Sequence, residues 1–203
     1  LDRFSIFETK LSTPAEVVRE NLNEYAAVVV LGMDRVPDDL LPKAEAYVRD
    51  GGNLVFFMNA RVNCWEYNEK LFKKGDGLLP VKLEKYERAA KDAPLSISLA
   101  TEGWEGFSFL EGGKEFAPKD VLGYMDLSAG ASDNHARSVA FLSNGKPAIV
   151  DRAVGSGRVL VFAVPAGPPD NFLPVGPLFP VLMQELLRQL SGHPDREVNL
   201  RIN

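Results

Sequence analysis

Cysteine and histidine are the scarce residues of this 203-residue chain, which has one of the former and two of the latter. With Cys64 alone an intrachain disulfide is excluded, and any zinc site would need other ligand types. His135 and His193 stand in polar surroundings and read as exposed loop residues, so no histidine-rich metal site is expected. Long apolar runs are missing as well. The longest clean one covers residues 26–31, far short of the roughly 18–20 residues that span a bilayer. There is no basic excess: 23 Lys and Arg stand against 28 Asp and Glu, a formal charge of −5. That balance argues against nucleic acid as a partner, because phosphate binding needs a basic surface. The dinucleotide and phosphate-loop glycine patterns are both missing, and so are internal repeats and low-complexity tracts. The opening Leu-Asp-Arg-Phe-Ser does not read as a signal peptide. The closing Arg-Glu-Val-Asn-Leu-Arg-Ile-Asn begins like a strand and stops. Both ends read as those of a segment cut from a longer protein.

What is present is the balance of a globular domain, 45% hydrophobic and 25% charged residues. A single domain over residues 1–203 can bury its core without disulfides or metals. Residues 4–11 read as a short strand. Thr13, Pro14 and Glu16 then supply an N-cap, a first-turn proline and an acidic first turn for a helix carrying Val17, Val18 and Leu22. Residues 26–31 are a β-branched run of the kind buried in parallel sheets. Leu40, Leu41, Ala44, Tyr47 and Val48 fall at helical spacing over residues 38–50, and Gly51-Gly52 gives the left-handed stop. Residues 53–58 read as a third strand and 63–73 as a short amphipathic helix. Strands alternating with helices predict a parallel sheet.

Residues 80–130 are rich in Gly, Pro and charge, with Trp104, Phe107, Phe109 and Phe116 scattered among them. They predict an irregular insertion over the sheet, with short strands. Order returns at residue 136. Strands at 138–142, 148–154 and 158–164, joined by turns at 143–146 and 155–157, predict an antiparallel meander. A closing helix over 178–190 turns Leu182, Leu186, Leu187 and Leu190 inward, with Gly192 ending it.

In open α/β sheets ligands bind beyond the carboxyl ends of the strands. Three segments meet there, bringing together Asp34, Arg35, Asn59, Arg61, Asn63, Asp170 and Asn171. The set suits a small polar or anionic ligand. It suits turn and cap chemistry equally, since Asn and Asp shape turns. Cys64 is the only thiol available as a nucleophile, but it lies six residues past Met58 with no glycine beside it, whereas a nucleophile elbow needs small flanking residues at the strand-to-helix corner. Gly155-Ser156-Gly157 carries the glycines of an elbow but joins two strands of the meander, where they read as turn residues. Asp126-Leu127-Ser128-Ala129-Gly130 departs from an adhesion-type metal site at its fifth position, and Glu111-Gly112-Gly113-Lys114 reads as a turn. No metal and no cofactor is expected.

The stretch Tyr25-Ala-Ala-Val-Val-Val-Leu-Gly32, the helix ending Tyr47-Val-Arg-Asp-Gly-Gly52, and Asn53-Leu-Val-Phe-Phe-Met58 resemble the class I glutamine amidotransferase-like superfamily. Arg61-Val62, Tyr67-Asn68, Gly75-Asp76-Gly77-Leu78-Leu79-Pro80 and Gly155-Ser156-Gly157-Arg158-Val159-Leu160, with Leu173-Pro174 before the last helix, resemble one branch of it. This is the amidotransferase-like domain of Bat-type, aerotolerance-associated bacterial membrane proteins. The resemblance implies an α/β, flavodoxin-like three-layer sandwich with a C-terminal antiparallel meander, and a membrane-anchored parent protein of the inner membrane. The superfamily's nucleophile elbow and His-Glu pair have no counterpart, so glutaminase activity is not carried over. The family's first strand also lacks a counterpart, which implies a gap in the sheet that another chain could fill. The leading expectation is therefore a non-catalytic interaction or scaffolding domain, soluble in itself, with protein partners drawn from its parent chain or a membrane complex. Two alternatives stand beside it: a hydrolase or amidotransferase using Cys64, and a small-ligand sensor using Asp34, Asn59, Arg61 and Asp170.

Overall fold

The computed structural model describes residues 7–100, 115–128, 135–191 and 198–202. The chain opens with strand β1 (Phe7–Leu11) and the one-turn helix α1 (Pro14–Val17). Strand β2 (Ala27–Leu31), helix α2 (Leu40–Arg49) and strand β3 (Asn53–Phe57) follow. Next come α3 (Cys64–Tyr67), β4 (Lys82–Arg88), β5 (Leu95–Leu99), β6 (Glu115–Val121) and β7 (Gly123–Ser128). The chain closes with β8 (Arg137–Leu142), β9 (Pro147–Val154), β10 (Gly157–Phe162), α4 (Leu178–Ser191) and β11 (Val198–Ile202).

Among the described residues nine strands form one sheet in the order β1-β11-β2-β3-β10-β9-β8-β5-β6. The half from β1 to β10 is parallel, and from β10 onward every pair is antiparallel. The fold is thus α/β, with β10 serving both halves. Its sequence accounts for this position: Val159, Leu160, Val161 and Phe162 are all buried, as a strand covered on both faces requires.

Period-two alternation assigns the faces. Val29, Val55, Phe57, Leu160 and Phe162 turn toward α4, where they meet Leu182, Leu186, Leu187 and Leu190. Phe57 and Phe162 stack with ring centroids 4.4 Å apart. Val28, Val30, Leu54, Phe56, Val159 and Val161 turn to the other face, toward Ala44, Tyr47 and Val48 of α2 and Leu83, Met125 and Leu127 of β4 and β7.

The local signals act as the sequence predicts, with differences in extent. Thr13 caps α1: its hydroxyl accepts from the Glu16 N–H at 3.4 Å, while Glu16 Oε2 accepts from the Thr13 N–H at 2.7 Å. The helix nevertheless ends after one turn, and Leu22 falls in a separate 3₁₀ turn, Leu22–Glu24. Residues 63–73 divide into α3 and a wider π-helical turn, Asn68–Phe72, which the left-handed Lys73 and Lys74 end. The described residues between 80 and 128 carry more order than irregular structure with short strands. β5 and β6 extend the large sheet, and β4 pairs with β7 in a ribbon lying over it. Trp104, Phe107, Phe109 and Gly192 lie outside the described residues.

Among the described residues β11 fills the place where the gap is expected. Among the described residues the sheet is continuous, because β11 stands between β1 and β2 and pairs in parallel with both. The closing strand signal of the sequence is this strand.

Candidate functional site

The three segments predicted to converge do so at the carboxyl edge of the parallel half. The Gly32 N–H donates to the Phe57 carbonyl at 2.8 Å, and the Met58 N–H to the Phe162 carbonyl at 3.0 Å, which ties together the ends of β2, β3 and β10. A depression of about 290 Å³ opens there, with Asn59, Arg61 and Asp170 in its wall. A second, beside it, is lined by Asp34, Arg35 and Arg61. Leu31, Gly32 and Arg61 belong to both. Asn63 and Asn171 line neither.

Four of the seven predicted residues are engaged in holding the edge together. Asn59 donates through Nδ2 to the Gly32 carbonyl at 3.3 Å and accepts the Arg61 N–H at 2.9 Å. This contact needs a glycine at 32: φ is +60° there, and a Cβ would lie 1.8 Å from Asn59 Nδ2. Asn63 caps α3, accepting the Glu66 N–H at 3.1 Å. Asn171 is wholly buried; it donates to the Pro165 carbonyl at 2.7 Å and accepts the Leu173 N–H at 3.1 Å. Asp170, also buried, accepts from the Tyr86 hydroxyl at 2.8 Å and from the Arg88 guanidinium at 3.1 Å.

The other three face solvent. Arg61 pairs with Asp34 at 3.4 Å with both side chains mostly exposed, and the exposed Arg35 reaches Glu66 at 3.8 Å. The Arg61–Asp34 pair is exposed on both sides, and such pairs contribute about 0–1 kcal/mol, so these two side chains can be redirected toward a ligand or partner at little cost, whereas Arg35 faces the buried carboxylate of Glu66. Trp65, four positions past Arg61 on α3, is 72% exposed. The sequence reading omits it, and omits Tyr86 and Arg88. A signal for the latter two exists in Lys82–Arg88, where positions 86 and 88 share one strand face.

Cys64 is half-buried. Its Sγ lies 3.5 Å from Met125 Sδ and 3.9 Å from the Val62 carbonyl. Burial pushes the thiol upward from its ordinary value, and the negative charge of Glu84 adds to the rise. A nucleophilic cysteine needs the opposite, a neighbour that stabilises the thiolate. His135 is exposed, and His193 lies outside the described residues.

Gly155-Ser156-Gly157 is the β9–β10 turn and docks on the end of α2. The Ser156 N–H donates to the Arg49 carbonyl at 3.0 Å, and a Cβ at Gly157 would lie 2.0 Å from the Gly52 carbonyl oxygen. Its glycines therefore serve close backbone approach. Asp126 pairs with Lys146 at 2.9 Å, and the Ser128 hydroxyl donates to Glu84 at 2.7 Å; residues 111–114 and 129–130 lie outside the described residues. Among the described residues no group of three or more His, Cys, Asp or Glu is placed to hold a metal ion. Nor is any helix there long and apolar enough to cross a membrane.

No family model and no curated protein matches the chain. Solved structures do. The cytoplasmic protein STM1381 from Salmonella typhimurium LT2 is 16% identical with a TM-score of 0.64, over 90% of this chain and 77% of that one. The cytoplasmic protein STM3548 from Salmonella typhimurium is 18% identical with a TM-score of 0.62, over 87% and 74%. The β-galactosidase of Bacillus circulans sp. alkalophilus is 18% identical with a TM-score of 0.59, over 86% of this chain but 24% of its own. At these identities the likeness is one of fold alone, an α/β fold that stands nearly whole in two bacterial proteins and as a part of a larger glycosidase.

Proposed function

We propose that this chain is a non-catalytic interaction domain whose carboxyl edge docks another protein or another part of its own parent chain. The observation that carries this reading is the environment of Cys64, the only thiol in the chain. Its sulfur meets a thioether and a backbone carbonyl, and burial favours the protonated thiol. The edge supports the same reading. Asn59, Asn63, Asp170 and Asn171 are committed to turns, a cap and the contacts with Tyr86 and Arg88, which leaves Asp34, Arg35 and Arg61 as the presented groups of the edge, with the exposed Trp65 on α3. Arg and Trp are the residue types that dominate protein-recognition hot spots. That a comparable fold fills about a quarter of a β-galactosidase chain fits a module within a larger protein. The flavodoxin-like, class I amidotransferase-like arrangement belongs to this proposal, supported by helices α2 and α4 on opposite faces of the parallel half. The membrane-anchored bacterial parent is proposed on the sequence resemblance. The test is hydrolysis of glutamine and of simple activated esters by the wild type and by Cys64→Ser. Equal background rates are expected; turnover lost on substitution overturns the reading.

A small-ligand sensor is the second reading. It is favoured by the two adjoining depressions that share Arg61, and it would take a small anion between Arg35 and Arg61. Titration with inorganic phosphate, following the tryptophan fluorescence of the Trp104→Phe variant so that Trp65 alone reports, separates it from the first.

A further inference from the structure

The two edges of the large sheet are treated differently by the sequence. β6 carries Pro118 in its middle, and proline removes a ladder donor, which guards an edge against further pairing. β1 has no proline and reads Phe7-Glu8-Thr9-Lys10-Leu11. Among the described residues it forms the opposite edge, with β11 on one side. Charged side chains usually protect such an edge. Here the two charges have opposite signs and stand symmetrically about Thr9, so the protection fails against one partner, the same strand turned around.

From this we infer that β1 is a self-association edge and that its occupant is β1 of a second copy, paired antiparallel about a twofold axis at Thr9. In that register Glu8 stands opposite Lys10 of the second copy, and Lys10 opposite its Glu8. Opposite charges facing across an antiparallel pair stabilise it, and like charges destabilise it. Phe7 stands opposite Leu11 on the other face. Phe7 is buried in the core beneath α4, while Leu11, two alternations along on the same face, is 77% exposed. Pairing lays each exposed Leu11 against the end of the other copy's core and joins the two sheets. Lys10 already reaches Glu20 at 2.6 Å, so in the pair its ammonium lies between two carboxylates. Five residues per strand make a small contact of the weak, reversible class, and the association is therefore concentration-dependent. It does not depend on whether the chain is catalytic.

The experiment is sedimentation equilibrium of the full chain from about 1 to about 200 μM, a span that brackets weak interfaces. The wild type is compared with Lys10→Glu, Glu8→Lys and the double exchange Glu8→Lys/Lys10→Glu. A monomer–dimer equilibrium is expected for the wild type. Each single reversal puts like charges opposite each other twice and weakens association at least about tenfold. The double exchange rebuilds both pairs and returns the dimer to near its original strength, even though the Lys10–Glu20 contact stays lost. That restoration distinguishes pairing through β1 from damage inside one chain. A wild type that stays monomeric throughout overturns the inference. So do single reversals that leave association unchanged, and so does a double exchange that fails to restore it.

Discussion

The Tyr86 hydroxyl donates to Asp170 Oδ2 at 2.8 Å across 84 positions of sequence. It fastens the β4–β7 ribbon to the loop that follows β10. Gly123 lies against the joint: a Cβ there would sit 2.4 Å from the Tyr86 oxygen and 3.0 Å from Asp170 Cβ. Asp170→Ala leaves the half-buried Tyr86 phenol and the mostly exposed Arg88 guanidinium without their acceptor, and is expected to cost about 2–3 kcal/mol. Tyr86→Phe removes one hydrogen bond and is expected to cost about 1–2 kcal/mol. Urea unfolding of both variants checks the order and the size.

Asn53 is a second such joint, at the amino end of the parallel strands. Its amide donates to the Ala26 and Leu190 carbonyls, both at 2.9 Å, so the start of β3 holds β2 and the end of α4 together. Asn53→Ala strands two carbonyls and is expected to lower stability by about 2 kcal/mol, read from the same unfolding curves.

The β9–β10 turn gives a steric test. Gly157→Ala forces a methyl to 2.0 Å from the Gly52 carbonyl oxygen and 2.3 Å from that of Val48. Both contacts are backbone and cannot swing aside, so a loss of about 3 kcal/mol or more is expected. Gly167→Ala meets nothing within 4 Å and is expected to stay within about 0.5 kcal/mol of the wild type.

Much of this was legible in the sequence, and the reason differs by element. The leucines of α4 and the β-branched run of β2 signal themselves because burial on a helix face or in a doubly covered strand leaves a local pattern. β4 to β7 are harder to read, since their partners lie far away in the chain and their turn-rich composition hides the pairing. The site residues illustrate the same limit. Sequence places Asp170 and Asn171 in the segment after the last strand, but only the fold shows that Tyr86 and Arg88 claim the carboxylate. The position of β11 follows from strand order, which no local periodicity encodes.

Tyr47 and Tyr67 carry a pH prediction. Burial raises both phenols above the ordinary 10.0, and for Tyr67 the charges of Asp34 and Glu66 add to it. Burial also raises Tyr86, with the Asp170 hydrogen bond adding to it. Folded values above unfolded ones mean stability that is complete below pH 10 and lost as pH rises past it, where the unfolded chain ionises first. The urea midpoint is therefore expected to fall from about pH 10 upward, and to fall less steeply in Tyr67→Phe.

The central claim rests on a thiol that is held protonated. It is tested most directly by the rate of Cys64 alkylation with iodoacetamide as a function of pH, with the unfolded chain as reference. The account predicts slower reaction than the unfolded chain at neutral pH, with the rate still climbing beyond pH 9.0, the ordinary value from which burial raises this group. A fast reaction that is already level at neutral pH would reveal a stabilised thiolate, and would contradict the non-catalytic reading.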